Sequence, residues 1–165
     1  MKFKFCPLCG SKLVSKDIGD EVDLPYCENC LRPYFDWFGQ TVLVVVMNQR
    51  SEVLLLKQNY VSTTDWVLIA GYMKQGSTAE ETVIREVFEE TGQTAEELQY
   101  IKSYYYKKRE LLMSGFLVHV NAQDFNNSSE VDEIKWFKVE DALTKLREGS
   151  TGKEHLRNCL ELTVR

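Results

Sequence analysis

The amino-acid sequence predicts a mixed α+β fold, in which helices cover a mixed β-sheet and a small cysteine-rich module precedes the sheet. Three observations predict this arrangement. Four of the five cysteines lie within the first 30 of 165 residues, as two C-x-x-C pairs. After residue 39 the strand-like runs occur as hairpins and not as regular strand–helix–strand repeats, and an amphipathic helix with capping residues stands among them. We therefore divide the chain into residues 1–38 and residues 39–165.

The composition and charge are those of a globular chain without a membrane segment. Apolar residues make up 44% and charged residues 27% of the sequence, and the formal net charge is −5. This acidic balance weighs against non-specific binding to a nucleic-acid backbone. The longest apolar run, Val42–Met47, is far too short to span a bilayer, and the N-terminus shows no signal-peptide pattern. We expect a cytoplasmic protein with no membrane partner.

The cysteine pairs have the spacing of a zinc ribbon. Cys6 and Cys9 form the first pair, Cys27 and Cys30 form the second, and seventeen residues separate them. A two-residue gap lets two thiolates from one turn reach one ion, and two such turns complete a tetrahedral four-sulfur site. A redox pair would need a strand-to-helix context, which neither pair has. The pairs therefore predict a structural Zn2+ with no open position, and Cys159 is expected to be a separate buried or free thiol in a helix.

Local patterns place the other elements in chain order. Two short strands are expected between the cysteine pairs, followed by a connection in which Phe35, Trp37 and Phe38 pack between the modules. Beyond it, β-branched runs bounded by turn residues predict strands, and apolar residues at helical spacing predict helices. The predicted strands cover 41–49, 52–58, 65–73, 99–109, 110–122 and 133–139, and the predicted helices cover 78–91, 139–148 and 153–162.

The first of these helices has clear start and stop signals. Either Ser77 with Glu80 or Thr78 with Glu81 fits a capping box at its beginning, and Gly92 fits its end. The apolar stripe that we expect to face the sheet consists of Ala79, Val83, Val87 and Ile84.

Three carboxylates share one face of this helix. Glu86, Glu89 and Glu90 stand at positions i, i+3 and i+4, so their charges repel each other at a cost of about 0.2–0.5 kcal/mol per pair. A solvated acidic face would tolerate that repulsion, and a site for hard divalent cations, which take oxygen ligands, would remove it. The spacing alone does not choose between these two interpretations.

The residues around the carboxylates complete a longer pattern. Gly71 and the run Arg85-Glu86-Val87-x-Glu89-Glu90-x-Gly92 closely resemble the Nudix box, G-x5-E-x7-R-E-U-x-E-E-x-G-U, over 23 positions. The resemblance implies an α/β/α sandwich and hydrolysis of a nucleoside diphosphate linked to another group. It also implies that Glu86, Glu89 and Glu90 bind Mg2+ or Mn2+ and that Arg85 orients a glutamate, most simply Glu89.

Two positions depart from the box. Gln93 stands where the box has a final apolar residue, and Ser77 stands where it has its first glutamate. In the family that glutamate braces the loop before the helix through hydrogen bonds. Ser77 could cap the helix but carries no charge, and Glu80 and Glu81 are one turn away and could compensate. These departures bear on metal affinity and loop rigidity more than on the chemistry.

The order of ribbon and box resembles the NADH pyrophosphatase branch of the Nudix family. That branch has an E-x-x-E-x-x-W-F stretch, which SSEVDEIKWF resembles, and many family members add one acidic residue from outside the helix. Glu130 is the favoured candidate here, with Asp132 and Glu133 as alternatives. A second signature of the branch, S-Q-P-W-P-F-P-x-S-L-M, survives at only three positions. The resemblance therefore carries the architecture and not the specificity for NADH.

An aromatic and basic segment replaces that second signature. Tyr104 and Tyr106 share one face if the segment is a strand, and an aromatic ring there can stack on a base or a nicotinamide. Lys107 and Arg109 belong to a local basic cluster suited to phosphate. The alternative is a strand end with core tyrosines and a solvated turn, and the sequence leaves both open. His119, in an apolar strand, is expected to be a packed core histidine.

The resemblance, taken with these patterns, implies metal-dependent hydrolysis of the diphosphate bond in a dinucleotide cofactor such as NADH or NAD, or in ADP-ribose, with release of a nucleoside monophosphate. One alternative is a Nudix-fold regulator that binds such a ligand without cleaving it. Another is a zinc-ribbon adaptor for nucleic acid, against which the net charge of −5 weighs. The family resemblance also implies a homodimer.

Overall fold

The computed structural model describes residues 3–59, 62–126 and 131–163, and its chain divides after Gly39 into two compact units. The first unit holds the two cysteine pairs. The second holds a six-stranded sheet and the α-helices of the described chain. The predicted mixed α+β class is confirmed.

The first unit is a small antiparallel sheet with the cysteine turns. Its strands, paired in chain order, are β1 (Val14–Ile18), β2 (Glu21–Cys27) and β3 (Arg32–Pro33). Within the described residues its buried core consists of Cys6, Cys27 and Tyr34. So small a core contributes little apolar burial, and the unit therefore needs another source of stability.

The second unit contains a six-stranded mixed sheet. Its strands are β4 (Gly39–Asn48), β5 (Glu52–Lys57), β6 (Ile69–Tyr72), β7 (Ala95–Tyr106), β8 (Leu111–Val120) and β9 (Glu133–Lys138). They lie in the order β7-β8-β4-β5-β9, and β6 also pairs with β4. The first half of β4, from Thr41 to Val44, pairs with β6, and its end at Met47 pairs with β5. The β-branched run of β4 is buried because packed layers cover both faces of the sheet.

The helix α1 (Ala79–Thr91) begins and ends where the sequence predicts. Thr78, and not Ser77, is the N-cap: its Oγ1 accepts a hydrogen bond from Glu81 N (3.2 Å), and a Glu81 carboxylate oxygen accepts one from Thr78 N (2.9 Å). Gly92 ends the helix in the left-handed conformation, with a φ of 73°. These two caps fix both ends of the segment that carries the three carboxylates.

Two further helices, α2 (Val139–Lys145) and α3 (Thr151–Thr163), follow the last strand. α2 ends earlier than predicted because Leu146 leaves the helix in an extended conformation, is buried, and forms a parallel bridge with Trp66. Within the described ranges, no helix is both long enough and apolar enough to cross a membrane.

The apolar core of the second unit has two layers, one on each face of the sheet. α1 contributes Val83 and Val87 to the first layer, whereas Ile84, which the sequence places in the same stripe, is exposed. α2 and α3 contribute Ala142 and Leu156 to the second layer. The carboxylate-bearing helix therefore lies on the face of the sheet opposite α2 and α3.

Candidate functional site

The strand β6 brings Gly71 against the first carboxylate of α1. A Cβ atom added at Gly71 would overlap the carboxylate of Glu86, so glycine leaves the room that this side chain occupies. Gly71 pairs with Val42 of β4, which fixes its backbone. Glu86 is thereby held between helix and strand, with 12% of its side chain exposed.

Arg85 joins two of the three carboxylates. Its Nη1 atom donates to Glu86 Oε1 (2.7 Å) and to Glu89 Oε2 (2.8 Å), and its Nη2 atom donates to the carbonyl oxygen of Tyr72 (3.2 Å). The expected contact with Glu89 is present, and Glu86 shares it. Burial alone would lower the pKa of Arg85, but the hydrogen bonds and charges of Glu89 and Glu86 raise it overall. The guanidinium therefore stays charged between the two carboxylates.

The surroundings of Glu86 favour a nearby cation. Burial raises the pKa of this carboxyl above its ordinary value. Arg85 and Lys74 lower the pKa without cancelling that rise, and the charge of Glu89 adds to it. A raised pKa means that the surroundings of Glu86 stabilise its ionised carboxylate less well than water does. A divalent cation bound there would supply the missing positive charge.

Glu90 is held in a drier position than Glu89. Glu90 is 5% exposed, and its Oε1 accepts a hydrogen bond from Nε2 of Gln58 (3.2 Å). Gln58 follows β5 and is itself 5% exposed. Glu89, by contrast, has 52% of its side chain exposed. One face of α1 thus carries carboxylates that range from buried to open to solvent.

The three carboxylates offer the oxygen donors that Mg2+ and Mn2+ prefer, but they do not close around one point. Among the described residues, the four cysteines form the group whose ligand atoms all lie within 4.8 Å of one another, and the three glutamates do not form such a group. The Arg85 guanidinium stands between Glu86 and Glu89. The donor chemistry fits a hard cation, and a cation that bridged these two carboxylates would compete with the guanidinium for them.

The four cysteines do converge. Cys6 Sγ lies 3.8 Å from Cys30 Sγ, and Cys9 Sγ lies 3.5 Å from Cys27 Sγ. A tetrahedral ion with Zn–S bonds of about 2.3 Å separates its sulfurs by about 3.8 Å, so the observed spacing fits one Zn2+. The backbone N–H of Cys30 also donates to Cys27 Sγ (3.3 Å).

The acidic residue expected from outside α1 is not located. Glu130 lies outside the described residues. Asp132 is engaged with the backbone: its Oδ2 accepts from Asn59 N (2.7 Å), and its own N–H donates to the carbonyl of Lys57 (2.9 Å). Glu133 forms an ion pair with Lys135. Both described alternatives therefore have other partners, and the role of Glu130 stays a prediction.

The aromatic and basic segment is divided between the sheet and a hairpin turn. Tyr104 is buried, and its hydroxyl bonds to His155 Nδ1 (3.0 Å) and accepts from Asn158 Nδ2 (2.8 Å), both on α3. That side chain therefore faces α3 and not α1. Tyr106 ends β7, and the basic residues 107–109 form an exposed 3-10 turn after it. Contact of this segment with a substrate stays a prediction.

The fully buried histidine is His155 and not His119, which the sequence predicts to be a packed core residue. His119 on β8 is half-buried. The ring of His155 reaches the carbonyl of Phe116 through Nε2 (3.0 Å), and Gly115 leaves room for it. Burial lowers the pKa of His155, so the imidazole is neutral at pH 7. No local pattern marks this residue, because its hydrogen-bond partners Phe116 and Tyr104 lie 39 and 51 positions away.

Gln93, which replaces the last apolar residue of the box, is fully buried all the same. Its Oε1 accepts from Gln123 N (2.9 Å), and its Nε2 donates to Gln123 O (3.0 Å), so the side-chain amide pairs with backbone as a strand residue would. Asn126 N also donates to the carbonyl of Thr91 (3.1 Å). The chain after β8 is thereby tied to the end of α1.

This strand–loop–helix element, with its glycine, arginine and three glutamates beside a mixed sheet, defines a family. A family model of the NUDIX domain matches residues 37–159, which is about three quarters of the chain. The chain therefore belongs to the Nudix family.

Among curated proteins the chain is similar to enzymes named NAD-capped RNA hydrolase NudC. The Haemophilus influenzae protein is 28% identical over 163 residues, which cover 96% of this chain and 61% of that protein. The Pseudomonas aeruginosa protein is 27% identical over 154 residues, which cover 93% of this chain and 54% of that protein. The chain thus spans little more than half the length of the curated relatives it matches.

Solved structures share the fold at lower identity. A Nudix hydrolase from Nitrosomonas europaea aligns with a TM-score of 0.69 at 20% identity, covering 96% of this chain and 91% of that chain. The Nudix domain of Shewanella oneidensis NrtR, in complex with ADP-ribose, aligns with a TM-score of 0.68 at 16% identity, covering 84% and 94%. At these identities the similarity shows the fold alone.

Proposed function

We propose that this chain is a divalent-metal-dependent hydrolase that cleaves the diphosphate bond of a nucleoside diphosphate derivative and releases a nucleoside monophosphate. The observation that carries the proposal is the cluster of Glu86, Glu89 and Glu90 on one face of α1, where Gly71 gives room to the first carboxylate. A diphosphate is itself negative, so these carboxylates can serve it only across bound cations.

In this proposal Glu86, Glu89 and Glu90 hold Mg2+ or Mn2+. The bound ions would neutralise diphosphate oxygens and lower the pKa of an attacking water. Arg85 orients Glu86 and Glu89 through the nitrogen that both accept from, and so keeps two like charges close together until a cation binds. Glu130 is proposed as the further acidic residue that assists the reaction.

Substrate contacts are proposed for the segment after the box. Lys107 and Arg109 would bind phosphate, because they place positive charge in an exposed turn of a chain whose net charge is −5. The sequence makes Tyr104 and Tyr106 candidates for stacking on a base. Of the two, Tyr106 is the better candidate, since the Tyr104 hydroxyl is taken up by His155 and Asn158.

The names of the similar proteins support a substrate of this class. The NudC relatives are named for an NAD cap, and the NrtR domain was crystallised with ADP-ribose. Both NAD and ADP-ribose contain an adenosine diphosphate joined to a second ribose. A long RNA attached to the cap would need an extended basic surface, which the net charge of −5 and the three-residue basic turn disfavour. We therefore propose a free dinucleotide or ADP-ribose as the substrate.

We also propose one structural Zn2+ bound by Cys6, Cys9, Cys27 and Cys30, because the spacing of their sulfur atoms fits a tetrahedral site. A homodimer and a cytoplasmic location complete the proposal. Light scattering after gel filtration would measure the oligomeric state.

An activity panel tests the proposed function. The chain is assayed with Mg2+ or Mn2+ against NADH, NAD, ADP-ribose, FAD, nucleoside triphosphates and an NAD-capped oligoribonucleotide. We expect release of a nucleoside monophosphate from a dinucleotide or from ADP-ribose. Glu89→Gln should lower the rate on the order of a hundredfold or more, and Glu96→Gln, an exposed glutamate on β7, is the matched control.

Three results would contradict parts of this proposal. Ligand binding without turnover across the panel would favour the regulator. Turnover confined to the capped oligoribonucleotide would replace the proposed substrate. Binding of the oligoribonucleotide irrespective of its cap, without hydrolysis, would favour the nucleic-acid adaptor.

A further inference from the structure

Glu90 presents an electrostatic problem that Gln58 addresses. A carboxylate that is 5% exposed loses most of its hydration, and that loss is unfavourable unless hydrogen bonds replace it. The partner of Glu90 Oε1 is the side-chain amide of Gln58, at 3.2 Å. An amide donor stabilises the ionised form of a carboxylate without adding a charge of its own. Glu90 is thereby given a hydrogen-bond donor that does not compete as a cation.

The backbone around Gln58 is fixed on both sides. Asp132 bonds to both chain neighbours of Gln58. Its N–H donates to the carbonyl of Lys57 (2.9 Å), and its Oδ2 accepts from Asn59 N (2.7 Å). The carbonyl of Gln58 itself accepts from Ser62 N (3.0 Å). These contacts hold the chain at the end of β5, so the amide of Gln58 reaches Glu90 from a defined place.

We propose that Gln58, held in place by Asp132, is a positioning residue that orients the Glu90 carboxylate toward a divalent cation. The inference rests on the proposed function, because it takes Glu90 as a metal ligand. Gln58 touches the ligand and not the substrate. By bonding one carboxylate oxygen it restrains rotation of the side chain, so the carboxylate need not be ordered when the cation arrives.

Asp132 thereby takes a role different from the one that the sequence predicts for it. The sequence offers Asp132 as a further acidic residue for the chemistry. The structure instead uses its carboxylate as an acceptor for backbone at the end of β5. Asp132 therefore acts on the site through Gln58, at one remove from Glu90.

Direct Mn2+ binding tests the inference without an activity assay. The electron paramagnetic resonance signal of free Mn2+ is titrated against the full chain, the Gln58→Leu variant and the Gln99→Leu control, in which an exposed glutamine on β7 is changed. We expect Gln58→Leu to weaken Mn2+ binding about tenfold, the effect of losing one hydrogen bond to a charged group. Gln99→Leu should bind Mn2+ as the unchanged chain does.

A double-mutant cycle separates positioning from packing. If Gln58 acts through Glu90, Gln58→Leu should have no further effect on Mn2+ affinity in a Glu90→Gln background. Equal weakening in both backgrounds, or no weakening in a folded Gln58→Leu protein, would overturn the inference. Circular dichroism checks the fold. Should Gln58→Leu not fold, Gln58→Asn, which keeps the amide but shortens its reach, gives the same two readings.

Urea unfolding without added Mn2+ of the four proteins of the cycle, namely the unchanged chain, Gln58→Leu, Glu90→Gln and the double variant, distinguishes failure of the inference from failure of the proposed function. A Gln58–Glu90 coupling in unfolding, with Mn2+ affinity unchanged in Glu90→Gln, would overturn the metal role of Glu90 and leave the pairing intact. The absence of coupling in both unfolding and Mn2+ binding would overturn the role of Gln58 itself.

Discussion

The two clusters of ligand side chains in this chain are built in opposite ways. Four cysteine sulfurs lie within 4.8 Å of one another in a unit whose described core is Cys6, Cys27 and Tyr34. The three glutamates of α1 do not converge, yet they stand on a helix that two caps and an apolar layer hold in place. With so small a core, the closed cluster would depend on the proposed ion to fold, whereas an open cluster on a folded helix could bind and release ions without losing structure.

The largest effect that would test this comparison is loss of the proposed zinc site. Cys27→Ser removes a ligand from a site whose binding energy is folding energy, so we expect zinc content to fall from about one per chain to none. Residues 3–39 should unfold while the second unit keeps its structure, as metal analysis and limited proteolysis would show. Cys159→Ser, at a buried thiol outside the cluster, is the control. A Cys27→Ser protein that retained zinc would refute the site.

A smaller effect is expected where α1 meets β6. Gly71→Ala places a methyl group where the Glu86 carboxylate lies, so that carboxylate must move. We expect kcat to fall about tenfold with little change in the melting temperature, because the helix is fixed by its caps. Gly152→Ala on α3 is the matched control, since its Cβ would meet Leu68 at an ordinary contact distance of 3.6 Å. An unchanged kcat in Gly71→Ala would separate Glu86 from the reaction.

Mild acid should weaken the second unit through His155. The pKa of His155 lies below its ordinary value of 6.5 because the ring is buried, so the unfolded chain binds a proton more readily than the folded one. The contribution of His155 to the free energy of unfolding should therefore be fully present above about pH 6.5. It should be lost as the pH falls from there through the folded-state pKa, by about 1.4 kcal/mol for each pH unit between the unfolded and folded pKa values. Urea unfolding at several pH values measures this slope.

In His155→Gln the unit should be less stable at neutral pH, and the slope between pH 6.5 and 5 should become shallower. A slope equal to that of the unchanged chain would show that other groups account for the acid sensitivity.

The smallest effect is expected at Ser77. The N-cap of α1 is Thr78 paired with Glu81, so the helix start does not require a glutamate at position 77. If the loop before α1 is nevertheless under-braced, Ser77→Glu should raise Mn2+ affinity or activity about two- to threefold, the effect of one added hydrogen bond. Ser77→Gln keeps the shape without the charge and serves as the control. A decrease in both affinity and activity would show that serine suits this loop.

Short-range signals in the sequence predicted most of the fold. The hairpin of β4 and β5 can be predicted from two apolar runs on either side of the turn after Asn48, the first of them β-branched. The helix α1 can be predicted from Thr78, Glu81 and Gly92, because each signal lies within a few residues of the structure it specifies. The same holds for the contact between Arg85 and Glu89, one helical turn apart. The sequence predicts the end of α2 too late in the chain, because the conformation of Leu146 is set by its bridge to the distant Trp66 and not by the helix.

The supporting contacts of the site could not be predicted, because their partners are far apart in the chain. Gln58 and Glu90 are separated by 32 residues, and Asn59 and Asp132 by 73. An isolated glutamine carries no sign that its amide will meet a carboxylate, and Asp132 looked like any other acidic candidate beside Glu130. Only pairing of the strands sets which of these polar groups become buried together.

β4 gives the site a property that no single contact provides. Gly71 reaches Glu86 from a strand paired with the first half of β4, and Gln58 reaches Glu90 from the hairpin partner that pairs with its other end. β4 therefore sets the positions of both Gly71 and Gln58. A fluctuation of that strand displaces them in the same direction, so the errors in their positions are correlated. We expect the separation of the two carboxylates to vary less than the position of either.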